Sequence, residues 1–167
     1  MGGFQWFTAR YKDAPAVFLE QVAQAAAGVL AAIDAIASQR PVSQRIVLGY
    51  SQGAHLAWWL ATTGRVDHVI AVSGALPPGV TLPRTSSTVR IDAAHGTRDP
   101  VIPFAAGQAT ARLFEAAGYR VHFSPVQLAG HALSGTGHTV APALRAVLQP
   151  ASVAPTRPWG LKFRGSG

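Results

Sequence analysis

Apolar residues along this chain fall into two alternating rhythms. Between Pro15 and Ala37, Val22, Ala26, Leu30, Ile33 and Ile36 recur at intervals of three or four, which predicts one long helix with an apolar stripe. Gly28 interrupts that helix at a cost of about 1 kcal/mol against alanine, and we expect it to mark a close packing contact. Short runs rich in Val, Ile and aromatics follow at Arg45 to Leu48, His68 to Val72, Val89 to Ala93 and Arg120 to Val126, and each predicts a strand. Between and after them, helices are predicted from Ala54 to about Thr63, from Phe104 to Ala117 with Gly118 as the stop, and from Val140 to Leu148. Residues 1–13 read as an entry loop, and the proline- and glycine-containing stretch Ser73 to Thr88 as a long loop. Strands alternating with helices predict an α/β protein with a mostly parallel sheet flanked by helices. No internal repeat is present. Residues 1–149 are expected to form a single domain, and 150–167 an irregular tail whose Gly165-Ser166-Gly167 ending resembles a linker or a cloning remnant.

Composition narrows the function classes. With 167 residues, 49% of them hydrophobic and 13% charged, the chain can bury a real core and is not a disordered segment. Its net charge of +7 comes almost entirely from arginines scattered singly, without the stripe or face that nucleic-acid binding needs, so no nucleic-acid partner is expected. The absence of cysteine excludes disulfides and thiolate metal sites. No apolar run is expected to reach membrane-spanning length, and no membrane partner is expected. Met1 to Trp6 lacks a basic stretch followed by an apolar core, so it does not read as a signal peptide, and a cytoplasmic protein is expected.

Candidate chemistry centres on Gly49-Tyr50-Ser51-Gln52-Gly53, between a predicted strand and a predicted helix. This is the G-x-S-x-G pattern of a nucleophile elbow, in which a strained turn lifts a serine hydroxyl above the sheet. The helix that follows points its first N–H groups at negative charge forming there. A carboxylate that could hold a catalytic imidazole is Asp99, in His95-Gly96-Thr97-Arg98-Asp99-Pro100, after the third strand and on the same rim of a parallel sheet. An aspartate before a proline is equally suited to closing a turn. Asp67 enters a strand at the opposite rim and Asp92 lies inside one, so both are weaker candidates. The base should follow the acid in the chain, which leaves His131 and His138, both beside a glycine in loops. His55, His68 and His122 read as structural.

The blocks Gly49-Tyr50-Ser51-Gln52-Gly53, Val72-Ser73-Gly74-Ala75-Leu76-Pro77, His95-Gly96-x-x-Asp99-Pro100-Val101-Ile102-Pro103 and Gly130-His131, in that order, carry a resemblance to a known family. The chain resembles an α/β-hydrolase of the phospholipase/carboxylesterase group, which includes acyl-protein thioesterases, from its start to about Leu148. Gly2-Gly3-Phe4-Gln5-Trp6-Phe7 is similar to that family's Gly-rich Trp-Phe segment. In the family the acid and the histidine stand a little over thirty residues apart. His131 lies 32 residues after Asp99 and His138 lies 39, so the resemblance favours His131.

Members of the family begin with several strands and a His-Gly loop before the Trp-Phe segment, where this chain starts. The resemblance therefore implies a truncated α/β-hydrolase fold without the loop that donates one oxyanion N–H, leaving Gln52 as the other donor. Losing one such donor costs about 100- to 1000-fold in rate. It also implies that the strand ending at Leu48 lies at a sheet edge, where pairing with a second copy of the chain, as a homodimer, is expected to cover it.

Taken together, these residues lead us to expect a serine carboxylesterase that hydrolyses short-chain carboxylic esters through an acyl-enzyme, with Ser51, His131 and Asp99 as nucleophile, base and orienting acid. Thioesters would use the same machinery. Phe4, Trp6, Phe7, Leu76 and Ile102 are the candidate acyl-pocket walls, and no metal or organic cofactor is called for. The alternative is a weak or inactive remnant of the fold that serves as a binding or oligomerisation module.

Overall fold

A computed structural model describes residues 5–77, 80–83, 88–132 and 141. Helix α1 spans Pro15–Gln39, β1 Ile46–Tyr50, α2 Gln52–Thr62, β2 His68–Val72, β3 Arg90–Gly96, α3 Phe104–Ala116 and β4 Arg120–Val126. The four strands form one parallel sheet in the order β1-β2-β3-β4, in a register that aligns Tyr50 with Val72 and Val72 with Ala94. All strand C-termini therefore open on one rim, where the serine, aspartate and histidine loops emerge. The expected helix from Val140 to Leu148, the tail, Phe4 and His138 lie outside the described residues.

Alternation decides which strand residues meet the helices. Val69, Ala71, Ile91 and Ala93 share a core with Leu56, Ala57, Trp58 and Leu60 of α2 and with Ala111 and Phe114 of α3. The Trp58 and Phe114 rings join the two helices, with centroids 4.9 Å apart. Trp58 is 1% exposed, as a packing residue should be.

Helix α1 differs from the sequence reading in two ways. Its fully buried residues are Phe18, Val22 and Ala26, Leu30 and Ile33 pack against the core only partly buried, and Ile36 is 48% exposed, so the stripe leaves the core towards its C-terminal end. A Cβ added to Gly28 would meet nothing within 4 Å, so this glycine marks no close contact. At 25 residues, α1 is also long and apolar enough to cross a membrane by length and composition alone, contrary to the expectation that no apolar run reaches that length.

Strand β3 runs three residues past its expected end, which draws His95 and Gly96 into the sheet. At its other end Asp92 is buried in the sheet. Its Oδ2 lies 2.7 Å from His68 Nε2 and accepts from Arg90 Nε at 2.8 Å, while Oδ1 lies 3.2 Å from His122 Nδ1. Burial pushes this carboxyl up, but the bonds from His68, Arg90 and His122 outweigh it and hold the group at about 2. Asp67 serves the same end of the sheet, accepting the Arg45 N–H at 2.7 Å.

A carboxyl held below its ordinary 3.8 stabilises the fold at pH values above that figure, and the contribution disappears as pH falls from about 4 towards 2. The displacement corresponds to about 2 kcal/mol. Asp92→Asn should lower stability in urea at pH 7 by about that amount and flatten the acid limb of the stability–pH curve. An unchanged acid limb would show that Asp92 does not carry it.

Candidate active site

Ser51 stands between β1 and α2 with φ 55° and ψ −115°, a left-handed conformation that L-residues avoid. Its N–H donates to the Val72 carbonyl at 3.0 Å, and its carbonyl accepts from Ala54 and His55 N–H groups, so both sides of the turn are held. The turn brings α2 back onto β1. A Cβ on Gly49 would lie 2.0 Å from the Gly53 carbonyl oxygen, so glycine is required there. Gly53, the pattern's second glycine, is under no such constraint, because a Cβ there would meet only Trp6 Nε1 at an ordinary 3.7 Å.

Three side chains from separate loops meet on this rim. Ser51 Oγ lies 2.8 Å from His131 Nε2, and His131 Nδ1 lies 2.8 Å from Asp99 Oδ2. An ionised carboxylate only accepts, so Nδ1 carries the proton and Nε2 accepts from the serine hydroxyl. Asp99 meets both roles open to it in the sequence. Its Oδ1 closes a turn by accepting the Val101 and Ile102 N–H groups at 2.8 and 2.9 Å, while Oδ2 faces the imidazole. Burial pushes the Asp99 carboxyl up, and the bonds from His131, Ile102 and Val101 more than compensate, keeping it below its ordinary range.

The loops that carry these groups are locked from below. Buried His95 places Nε2 2.9 Å from the Ile102 carbonyl and 3.3 Å from Asp99 Oδ2. Helix α3 passes over that ring at Gly107, where a Cβ would fall 2.3 Å from His95 Nδ1. Tyr50 donates its hydroxyl to the His131 carbonyl at 3.0 Å, with the two rings 5.2 Å apart. Arg98 N–H donates to the Ala129 carbonyl at 2.9 Å, tying the aspartate loop to the histidine loop.

Beside Ser51 opens a largely apolar pocket of about 1060 Å³. Of the expected walls, Phe7, Leu76 and Ile102 line it, together with Ser51 and Gln52. Trp6 does not: it lies 56% exposed in a separate hollow against β1, because successive residues of an extended segment point to opposite sides. Sequence reasoning missed His55 and Thr110. His55, four residues after Ser51 on α2, sits on the serine's side of the helix, a spacing that could have revealed it. It contacts the Ala75 carbonyl through Nδ1, and its ring meets the Phe18 ring edge-on at 5.7 Å. Burial lowers its pKa, opposed by the Ala75 contact, so the pocket wall stays uncharged there at neutral pH. Thr110 Oγ1 accepts the Leu76 N–H at 3.0 Å and thereby fixes the loop after β2 against α3.

Gln52 opens α2, and its backbone N–H is among those a helix cannot satisfy internally. Its side chain has a second task. Oε1 accepts the Trp6 N–H at 3.0 Å and Nε2 donates to the Phe7 carbonyl at 2.9 Å, clamping the N-terminal segment to the elbow. Among the described residues, no group of three or more His, Asp or Glu is placed to hold a metal ion.

The parallel sheet, the strained serine turn and the order serine, aspartate, histidine define an α/β-hydrolase. The sequence matches the Phospholipase/Carboxylesterase family over residues 1–141, and the chain belongs to that family. It is similar to acyl-protein thioesterase 1 of Debaryomyces hansenii, 32% identical over 88 residues, a stretch that covers 48% of this chain and 37% of that protein. In structure it is similar to esterase PE8, with a TM-score of 0.72, 22% identity, and 87% of this chain matched to 71% of that one. It is also similar to Arabidopsis thaliana SOBER1, with a TM-score of 0.67, 23% identity, and 78% of this chain matched to 66% of that one. At these identities the structural matches speak for the fold. The chain spans under two fifths of the curated relative and about two thirds of SOBER1.

Replacing Gln52 by alanine removes both clamp bonds and should loosen residues 5–7 from the elbow, leaving Thr8 and Ala9 held by Gln21 alone. Trypsin cleavage after Arg10 or Lys12 is then expected to accelerate about tenfold under native conditions. Cleavage at the wild-type rate would show that the Gln21 bonds and Phe7–Phe18 packing hold the segment without Gln52.

Proposed function

We propose that this chain is a serine hydrolase of carboxylic esters or thioesters, with Ser51 as nucleophile, His131 as general base and then acid, and Asp99 as the group that orients the imidazole. The observation that supports this most strongly is the unbroken line Asp99–His131–Ser51, with two contacts of 2.8 Å. As Ser51 Oγ bonds to the acyl carbon, its proton passes to His131 Nε2, and ionised Asp99 stabilises the imidazolium. The oxyanion forms at the N-terminus of α2, where the Gln52 N–H and the helix dipole meet it. Collapse breaks the bond to the alcohol or thiol, which leaves with the proton from His131. Water then attacks the acyl-enzyme by the same route and releases the acid.

Short acyl chains fit the pocket easily, and its apolar volume leaves room for longer ones. The test is steady-state hydrolysis of para-nitrophenyl esters beside Ser51→Ala. We expect turnover that falls by at least about 10⁴-fold in the variant. Equal rates in both proteins would leave the fold as a binding module.

The same reading includes a homodimer across β1. That strand pairs only with β2 among the described residues, Leu48 on it is 47% exposed, and the adjoining hollow is lined by Trp6, Val29, Ile33 and Ile46. An unpaired edge of this kind is satisfied when an identical strand aligns with it across a twofold axis. Sedimentation should give a dimer that Leu48→Lys converts to monomer. A wild-type monomer at tens of micromolar would overturn the pairing.

A further inference from the structure

The charge of the pocket is a feature that ester hydrolysis alone does not use. Its walls include Phe18, Leu76, Val80, Ile102 and Leu113, and the only charged side chains lining it, among the described residues, are Arg10 and Lys12. No Asp or Glu lines it. Both cations are exposed, and among the described residues neither is in an ion pair, whereas Arg65 pairs with Asp34 and Arg90 with Asp92. Asp99 offers them nothing, because its oxygens are engaged by Val101, Ile102 and His131.

The segment bearing the two cations is fixed. Thr8 and Ala9 N–H groups each donate to Gln21 Oε1 at 3.0 Å, and the Tyr11 ring meets Phe18 edge-on at 5.9 Å. Phe7 is anchored beside Ser51 through Gln52. Arg10 follows it by three residues and Lys12 by five, so at about 3.6 Å per residue their Cα atoms lie within about 11 and 18 Å of Phe7. Phe7 and Phe18 are buried whereas Arg10 and Lys12 are exposed, so the apolar wall belongs to the pocket's interior and the positive charge to its water-facing side.

We propose that the substrate carries an anionic group, carboxylate or phosphate, separated from its scissile carbonyl by an apolar stretch, and that Arg10 and Lys12 receive that group at the pocket mouth. The inference rests on the hydrolase reading of Ser51. An uncharged chain would leave both cations facing water, whereas an anionic terminus pairs with them without burying an uncompensated charge. The group can belong to the acyl part or to the leaving part of the ester.

The test compares kcat/KM for mono-para-nitrophenyl octanedioate and para-nitrophenyl octanoate, which differ in the charge at the far end of the acyl chain. A second pair places a carboxylate on the nitrophenol in place of the acyl chain. We expect one anionic ester to exceed its neutral partner by about three- to tenfold at low salt, with the ratio falling towards one in about 1 M salt. The pair that shows the preference identifies which part of the substrate enters the pocket. Arg10→Glu combined with Lys12→Glu should invert that preference. Ratios near one in both pairs, or a preference untouched by the double variant, would overturn the inference. Absence of turnover with every ester would instead overturn the hydrolase reading. Calorimetric binding of the same esters to Ser51→Ala then decides the charge preference by itself, equal affinities counting against it.

Discussion

The left-handed backbone at Ser51 is the constraint on which the rest of this structure depends. A residue with φ of 55° at the end of a strand is unfavourable on its own, and here it is held from three directions. Val72 accepts its N–H, the Ala54 and His55 N–H groups of α2 donate to its carbonyl, and Gly49 gives the helix space to fold back against the strand. The parallel register then sets everything else at the right height. Because Tyr50, Val72 and Ala94 lie level, the loops after β2, β3 and β4 all leave the sheet within reach of the serine.

What those loops deliver is a chain of hydrogen bonds with few free choices. Asp99 divides its two oxygens between its own turn and the imidazole, and His95 underpins the turn from inside the sheet. Tyr50, one residue before the serine, bonds the backbone of His131. The imidazole is thus held from its ring by Asp99 and from its carbonyl by the elbow. Preorganisation of this kind holds the imidazole at hydrogen-bonding distance from the Ser51 hydroxyl without further rearrangement. Gln52 extends the same economy to the pocket, since one residue presents a backbone N–H at the helix start and a side chain that fastens Phe7 to the wall.

The sheet and its helices were legible because their signals are local. β2 and β4 fall where their β-branched runs begin and end, and α3 stops before Gly118 as its sequence requires. β3 exceeded its run because Ala94 to Gly96 pair with β4, a tertiary contact that strand propensity does not carry. Ser51 and Asp99 were legible through motif and chain order, and the structure brings His131 to both; His138 lies outside the described residues. The pocket was less legible. Trp6 and Phe7 are adjacent and both aromatic, and only the direction of an extended backbone sends one to the pocket and the other to the sheet edge. Gly28 and Gly53 look like packing glycines in the sequence, yet space around each is open enough for a side chain.

The central claim is that Ser51 is an activated nucleophile because His131 and Asp99 make it one. Intact-mass labelling with a fluorophosphonate reads this directly, independent of any substrate's fit. The account predicts one covalent phosphonyl group per chain, located on Ser51, with labelling slowed by orders of magnitude in His131→Ala. Labelling that proceeds at the same rate without His131, or that never reaches Ser51, would contradict it.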